Sequence, residues 1–233
     1  MNKVQLVRVQ NSEEGAEYLY EQVRQLLEND ELDVIGLATG STMEPVYKKW
    51  RESDLDFSNV IAFNLDEYVG LGADNPNSYA YFMNEHLFQH KTFKKTYIPN
   101  GVAEDLEKEC EMYEQLLNEH PLDLQLLGVG ENGHIAFNEP HTPIDSVTHV
   151  AHLTPSTLSV NGQYFDDHQE IPSTALTMGV QSILNAKRIV LLAFGEKKRA
   201  AVEKVLEGKI DPEWPITYIL AHEDVTVITD IIE

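Results

Sequence analysis

Along the first residues of the chain, from 3 to 9, apolar and polar side chains alternate, the period of a strand with one covered face. Ser12 then precedes a stretch with helical spacing to residue 27 and is the expected N-cap. A short apolar run over 33–38 predicts a buried strand. It is followed by Thr39-Gly40-Ser41-Thr42 and a helix over 43–51. The pattern repeats: a strand over 59–65 ends in Asp66-Glu67-Tyr68, Asn75-Pro76-Asn77-Ser78 marks a turn and cap, and a helix covers 79–89. A helix over 103–119 closes at His120-Pro121, and the apolar run 122–127 predicts another strand.

Beyond this strand lies Gly128-Val129-Gly130-Glu131-Asn132-Gly133-His134-Ile135-Ala136-Phe137-Asn138-Glu139-Pro140. Glycine at this density lets a backbone turn sharply and approach a ligand. Residues 147–172 are the least periodic and predict a short helix and a mobile lid. Strands over 174–178, 188–194 and 225–229 follow, with helical segments over 180–185, 195–206 and 216–221.

Strands alternate with helices throughout, and several are apolar on both faces. This predicts a single α/β domain over 1–233, with a mostly parallel sheet covered by helices on both sides in a three-layer, Rossmann-like arrangement. Ligands in such folds gather at the carboxyl ends of strands, so the residues just after each strand are the candidates for chemistry.

Composition adds limits. The net charge of -22, from 39 acidic and 17 basic residues, argues against nucleic acid and anionic membranes as partners. It also requires any anionic ligand to meet a locally positive site. The single cysteine, Cys110, excludes an intramolecular disulfide and reads as a buried structural thiol. No leader-like basic and apolar N-terminus and no membrane-length apolar run is present, so the expected location is the cytoplasm.

Four strand ends carry candidate chemistry. Thr39-Gly40-Ser41-Thr42 offers backbone N–H groups and hydroxyls for an anion, although a capped turn would use the same residues. Lys197-Lys198-Arg199 places three cations in a first helical turn, where the helix dipole favours negative charge, so they point either to an anion or to a solvated basic turn. Asp66-Glu67 supplies carboxylates that could move a proton or simply bind backbone N–H groups. His134 and Glu139 supply a base and a carboxylate that could orient it. Metal ligation is not indicated, because the nine histidines lack ligand spacing and there is no cysteine cluster. The Thr39–Thr42 loop is neither a Walker loop nor Gly-x-Gly-x-x-Gly, so a nucleotide is not indicated there, and no cofactor is expected.

Three motifs together, Leu37 to Thr42, Asn64-Leu65-Asp66-Glu67-Tyr68-Val69-Gly70 and Gly128 to Pro140, resemble the glucosamine-6-phosphate deaminase family. The resemblance runs in order over nearly the whole chain. The related 6-phosphogluconolactonases share the Gly-Ser-Thr loop and the Gly-His element but lack Phe-Asn-Glu-Pro. The resemblance implies an amino-sugar phosphate as substrate. The implied reaction, by a hydrolase or isomerase, is an aldose–ketose isomerisation with deamination, in which water is consumed and neither metal nor cofactor takes part. It implies that His134 opens the sugar ring with support from Glu139 and Asn132, and that Asp66 moves the proton between C2 and C1. Thr39, Gly40, Ser41, Thr42 and Lys198 would hold the phosphate. A catalytically weak sugar-phosphate-binding regulator and a lactonase-like hydrolase are the alternatives.

Two positions depart from the family pattern. Asn132 stands where some members have Asp; it cannot form an anionic pair with His134 but can fix its tautomer. Gln163, in the lid segment, stands where the family places an arginine that helps bind phosphate, and is itself expected at the substrate's phosphate without the charged contact. Lys197 or Arg199 could compensate. The region after Glu139-Pro140 lacks the basic residues of branches regulated by N-acetylglucosamine 6-phosphate, so no allosteric effector site is expected. Whether the chain is a monomer or a homo-oligomer is open at this stage.

Overall fold

The computed structural model describes residues 4–165 and 171–231. The chain runs β1 (Val4–Arg8), α1 (Ser12–Glu28), β2 (Val34–Leu37), α2 (Glu44–Arg51), β3 (Ile61–Asn64), β4 (Asp66–Tyr68), α3 (Tyr79–Met83) and β5 (Lys95–Tyr97). It continues with α4 (Leu106–Glu119), β6 (Leu124–Leu127), β7 (His149–His152), α5 (Pro155–Asn161), β8 (Thr174–Thr177), α6 (Val180–Leu184), β9 (Ile189–Ala193), α7 (Arg199–Leu206) and β10 (Val225–Thr229).

Seven strands form one parallel sheet in the order β1-β10-β9-β6-β2-β3-β5. Every residue of β2, β6, β9 and β10 is buried. Successive strand residues point to opposite faces, so both faces are covered, which is the parallel α/β arrangement expected from the apolar runs. The edge strands β1 and β5 are more exposed. The helices contribute apolar stripes at helical spacing: Ala16, Leu19 and Val23 from α1, Val46, Tyr47 and Trp50 from α2, and Ala201, Val202 and Val205 from α7. Full burial of an aliphatic side chain such as Leu19 contributes roughly 1.5–3 kcal/mol.

The strand order reverses between β2 and β6. From β2 the chain builds outward through β3 to β5; on the other side β6 is followed by β9 and β10. A crevice therefore opens at the carboxyl ends of β2 and β6.

A second sheet is a departure from the sequence expectation. β4, β8 and β7 form a small antiparallel sheet in the order β4-β8-β7. The chain passes from β3 to β4 through Leu65, whose N–H still bonds to Leu37 and whose carbonyl accepts from Met178 N–H. Asp66 therefore sits where the two sheets meet. The small sheet has its own core of Tyr68, Phe137, Ala151, Leu153 and Ala175, with Tyr79 and Phe165 packed against it.

Local corrections have simple causes. The N-cap of α1 is Asn11, whose side chain accepts from Glu14 N–H at 2.8 Å, and Ser12 is the first helical residue. α4 starts later than expected because Asp105 caps it. The helix expected over 79–89 is capped by Ser78 as anticipated, but changes from α to π geometry at Asn84. β5 escaped notice because its three residues, Lys95-Thr96-Tyr97, lie on an exposed edge and carry no apolar run. The expected lid segment contains β7, α5 and a 3₁₀ turn at Gly162–Tyr164; part of that expectation falls on 166–170, outside the described residues. Cys110 is buried, and burial followed by its glutamate neighbours pushes its thiol up to about 11, consistent with a structural role.

Candidate active site

The crevice is a cleft of about 480 Å³, within the range of small-molecule sites. Four adjacent central strands supply its floor. After β2 come Ala38 to Thr42, after β3 Leu65 and Asp66, after β6 Gly128 to Glu131, and after β9 Lys198. The small sheet and the segment after it add Tyr68, Tyr79, Phe137 and Phe165.

The residues expected to hold an anion share this cleft. Thr39, Gly40, Ser41, Thr42 and Lys198 all line it. Gly40 has φ 106° and ψ 168°, a backbone state that strains any residue with a Cβ, and it turns the chain from β2 into the 3₁₀ turn at Ser41–Met43. The turn leads directly into α2, so Ser41 and Thr42 line the cleft at the positive end of a helix. Lys198 donates to the carbonyl of Val129 at 2.5 Å. Burial lowers its ammonium below the ordinary value, the Glu131 carboxylate opposes this, and Lys197 adds to it.

The other two expected cations do not take part. Arg199 bonds to Glu196 through Nε and Nη2 at 2.7 Å and lies near Glu203, lining a separate surface hollow with Arg8. Lys197 is exposed and is not part of the cleft lining. Gln163, expected to touch phosphate, is exposed on its 3₁₀ turn and its side chain lies outside the lining, whereas its neighbours Asn161 and Phe165 belong to it.

His134 occupies the centre of one wall. Its ring packs so closely on Gly130 that a Cβ there would lie within 2.0–2.5 Å of ring atoms. The imidazole Nδ1 meets Asn132 Oδ1 at 2.5 Å, and Asn132 Nδ2 donates to Glu139 Oε2 at 3.1 Å. A carboxylate oxygen only accepts, so the amide must turn its NH₂ to Glu139 and its oxygen to the ring. Nδ1 therefore carries the hydrogen and Nε2 is left unprotonated in the neutral ring. Burial pushes the imidazole below its ordinary value, Glu139 partly offsets this, and Lys198 adds to it. Asn132 and Glu139 do not line the cleft; they stand behind the histidine, as the tautomer-fixing reading of Asn132 anticipates.

Asp66 and Glu67 part company. Being consecutive in β4, they point to opposite faces. Asp66 faces the cleft, and burial, followed by the charge of Glu67, raises its carboxyl well above the ordinary range. Glu67 accepts from the backbone N–H groups of Tyr68, Tyr79 and Ala80, each at 2.9 Å, and so fastens the start of α3 to β4. The bland expectation for a loop carboxylate describes Glu67, not Asp66.

Two further residues carry geometry that sequence reasoning did not assign. Asn138 donates to the carbonyls of Ile135 at 3.0 Å and Met178 at 2.9 Å, clamping the turn after His134 to the end of β8. Within that turn Ala136 lines the cleft with φ 52°, an uncommon backbone state for a residue other than glycine. Thr157 on α5 donates to Glu139 Oε1 at 2.5 Å. Asn138 lies inside a recognised motif and Thr157 inside the Thr-Pro-Ser-Thr cluster, but nothing local tells which partner either would find.

A family model described as glucosamine-6-phosphate isomerases/6-phosphogluconolactonase matches residues 8–228. The chain belongs to this family. It is 47% identical over 227 residues to a protein of Enterococcus faecalis named glucosamine-6-phosphate deaminase, covering 97% of each. A protein of Lactobacillus acidophilus with the same name is 52% identical over 197 residues, covering 84% of this chain and 82% of its own. A solved structure described as a monomeric glucosamine-6-phosphate deaminase superposes with a TM-score of 0.93 at 43% identity, covering 97% of this chain and 96% of that one. A solved 6-phosphogluconolactonase of Thermotoga maritima gives 0.77 at 20% identity, covering 97% of this chain and 98% of that one, a likeness of fold alone. The names shared by these relatives speak of isomerases and deaminases; the hydrolase label attached to the expected reaction finds no counterpart among the deaminase relatives.

Proposed function

We propose that this chain converts glucosamine 6-phosphate and water to fructose 6-phosphate and ammonia. The observation that carries the reading is the meeting, in one cleft, of a histidine whose Nδ1 is bonded to Asn132, a buried carboxyl, a lysine and the Thr39–Thr42 loop. The near full-length identity to proteins named for this deamination supports it. The phosphate would sit on Ser41, Thr42 and Lys198, lending remote binding energy to position the sugar carbons.

His134 Nε2 would take the proton from the C1 hydroxyl as the C1–O5 bond breaks and return a proton to O5. Its neutral form, favoured by burial, is the competent one. Asp66 would then remove the C2 proton and deliver it to C1, while O1 takes a proton from the ammonium group of the substrate. The resulting imine at C2 adds water and releases ammonia, leaving the ketose. The raised basicity of the Asp66 carboxyl suits abstraction from carbon better than an ordinary carboxylate would. We further infer that the described part of the lid segment, 147–165, covers the occupied cleft, that the protein works in the cytoplasm, and that it has no effector site.

Ammonia and fructose 6-phosphate release from glucosamine 6-phosphate tests the reading. Turnover with a hyperbolic rate curve, unchanged by N-acetylglucosamine 6-phosphate, is expected. Binding without turnover would instead make the chain a sugar-phosphate-binding regulator.

A further inference from the structure

The helix α5 places Thr157 in the cleft lining, and the hydroxyl of Thr157 is committed to a carboxylate of the protein. Thr157, 3% exposed, turns its hydroxyl onto Glu139, 8% exposed, at 2.5 Å. Its oxygen in turn accepts from the Thr154 hydroxyl at 3.1 Å, while Thr154 also caps α5 by accepting from Thr157 N–H. From the other side Asn132 donates to the second oxygen of Glu139, and His134 Nδ1 donates to Asn132. Thus the donors of Thr154, Thr157, Asn132 and His134 all run toward one carboxylate. The two bonds on Glu139 fix the plane of its carboxyl group, one from α5 and one from the glycine-rich loop. That plane decides where Asn132 can sit, and Asn132 decides the ring orientation and tautomer of His134.

We propose that Thr157 is a positioning residue for the ring-opening base, holding the Glu139 carboxylate so that Asn132 presents His134 with Nε2 facing the substrate. The inference rests on the proposed deamination. Because α5 also contributes Val160 and Asn161 to the cleft wall, the seating of this helix over the sugar and the alignment of His134 become one event. A hydroxyl is the group this position needs: it donates to the carboxylate in a nearly dry setting, where an unfilled acceptor is costly.

The test compares Thr157→Val and Thr157→Ser with the wild type on glucosamine 6-phosphate. Valine keeps the branched shape and the backbone N–H that Thr154 caps but removes the donor; serine keeps the donor. Misalignment of a reacting group by about 1 Å can cost on the order of a hundredfold, so Thr157→Val should lower kcat roughly 10- to 100-fold with KM within about threefold of wild type. Thr157→Ser should restore kcat to within about threefold. Added to Glu139→Gln, the valine change should cost less than about threefold more, as members of one network do not act independently. A wild type that releases no ammonia overturns both this proposal and the functional reading. An active wild type with Thr157→Val at wild-type kcat, a loss that serine does not rescue, or full multiplication of the two losses overturns the Thr157 proposal alone.

Discussion

His134 and Asp66 face one cleft from two walls, and they are prepared in different ways. His134 is held by directed bonds: Asn132 fixes its tautomer, Glu139 fixes Asn132, and Gly130 leaves room for the ring. Asp66 is set by its surroundings. Its position at the junction of the two sheets buries it, and Glu67 behind it adds a like charge. Geometry governs the first group and solvation the second. Changes that disturb alignment should therefore act on the histidine wall, and changes that alter charge or burial on the aspartate wall.

The sharpest way to break this contrast is Asp66→Asn. Turnover should fall by roughly 10²–10⁴, and solvent hydrogen exchange at C2 of the substrate, followed by NMR, should disappear. Exchange that persists would remove Asp66 as the enolisation base. The same variant probes solvation. A carboxyl whose folded pKa is raised binds more protons folded than unfolded, so its contribution favours folding at low pH. That contribution is lost as pH rises from the ordinary carboxylate range through the folded pKa. Asp66→Asn should therefore melt higher than wild type, with a larger gain at pH 8 than at pH 5. An equal gain at both would count against the burial argument.

Lys198→Met tests the corner between the walls. Loss of a charged hydrogen bond of about 1.5–3 kcal/mol should raise KM roughly 10- to 100-fold, with a smaller change in kcat. A variant with wild-type KM and low kcat would transfer Lys198 from anchoring to chemistry.

Asn132→Asp exchanges the amide donor to Glu139 for a carboxylate, and its readout is the pH profile. It places a carboxylate on the Nδ1 hydrogen of His134 and raises the imidazole from its lowered value. A histidine with a higher pKa holds its proton to higher pH, so the acidic limb of kcat/KM should move upward. A limb that stays in place would mean that His134 is not the group titrating there.

Much of this contrast was legible before any tertiary structure. Asp66, His134, Asn132, Glu139, Ser41 and Lys198 could be singled out because each lies in a short, distinctive motif that follows an apolar strand. Gln163 was singled out too, on the strength of its motif position, yet its side chain lies outside the cleft. Arg199 shared a basic run with Lys198, but its guanidinium is held by Glu196. In both cases neighbours in sequence point in different directions on a helical turn, and a motif does not record which.

The larger sheet was readable because burial on both faces demands unbroken apolar runs, and β2, β6, β9 and β10 have them. The smaller sheet was not, because β4 and β7 are short and polar and owe their conformation to β8. The sequence by itself determined the alternation of strands and helices, the parallel architecture and the residue types at the strand ends. These are local properties, set by periodicity and by glycine where the chain must turn. Tertiary structure alone decided that the strand order reverses at β2 and β6, that Asp66 faces the cleft while Glu67 caps α3, and that Thr157 closes the chain of bonds on Glu139. Each of these depends on partners distant in sequence, whose meeting is fixed only when the layers pack.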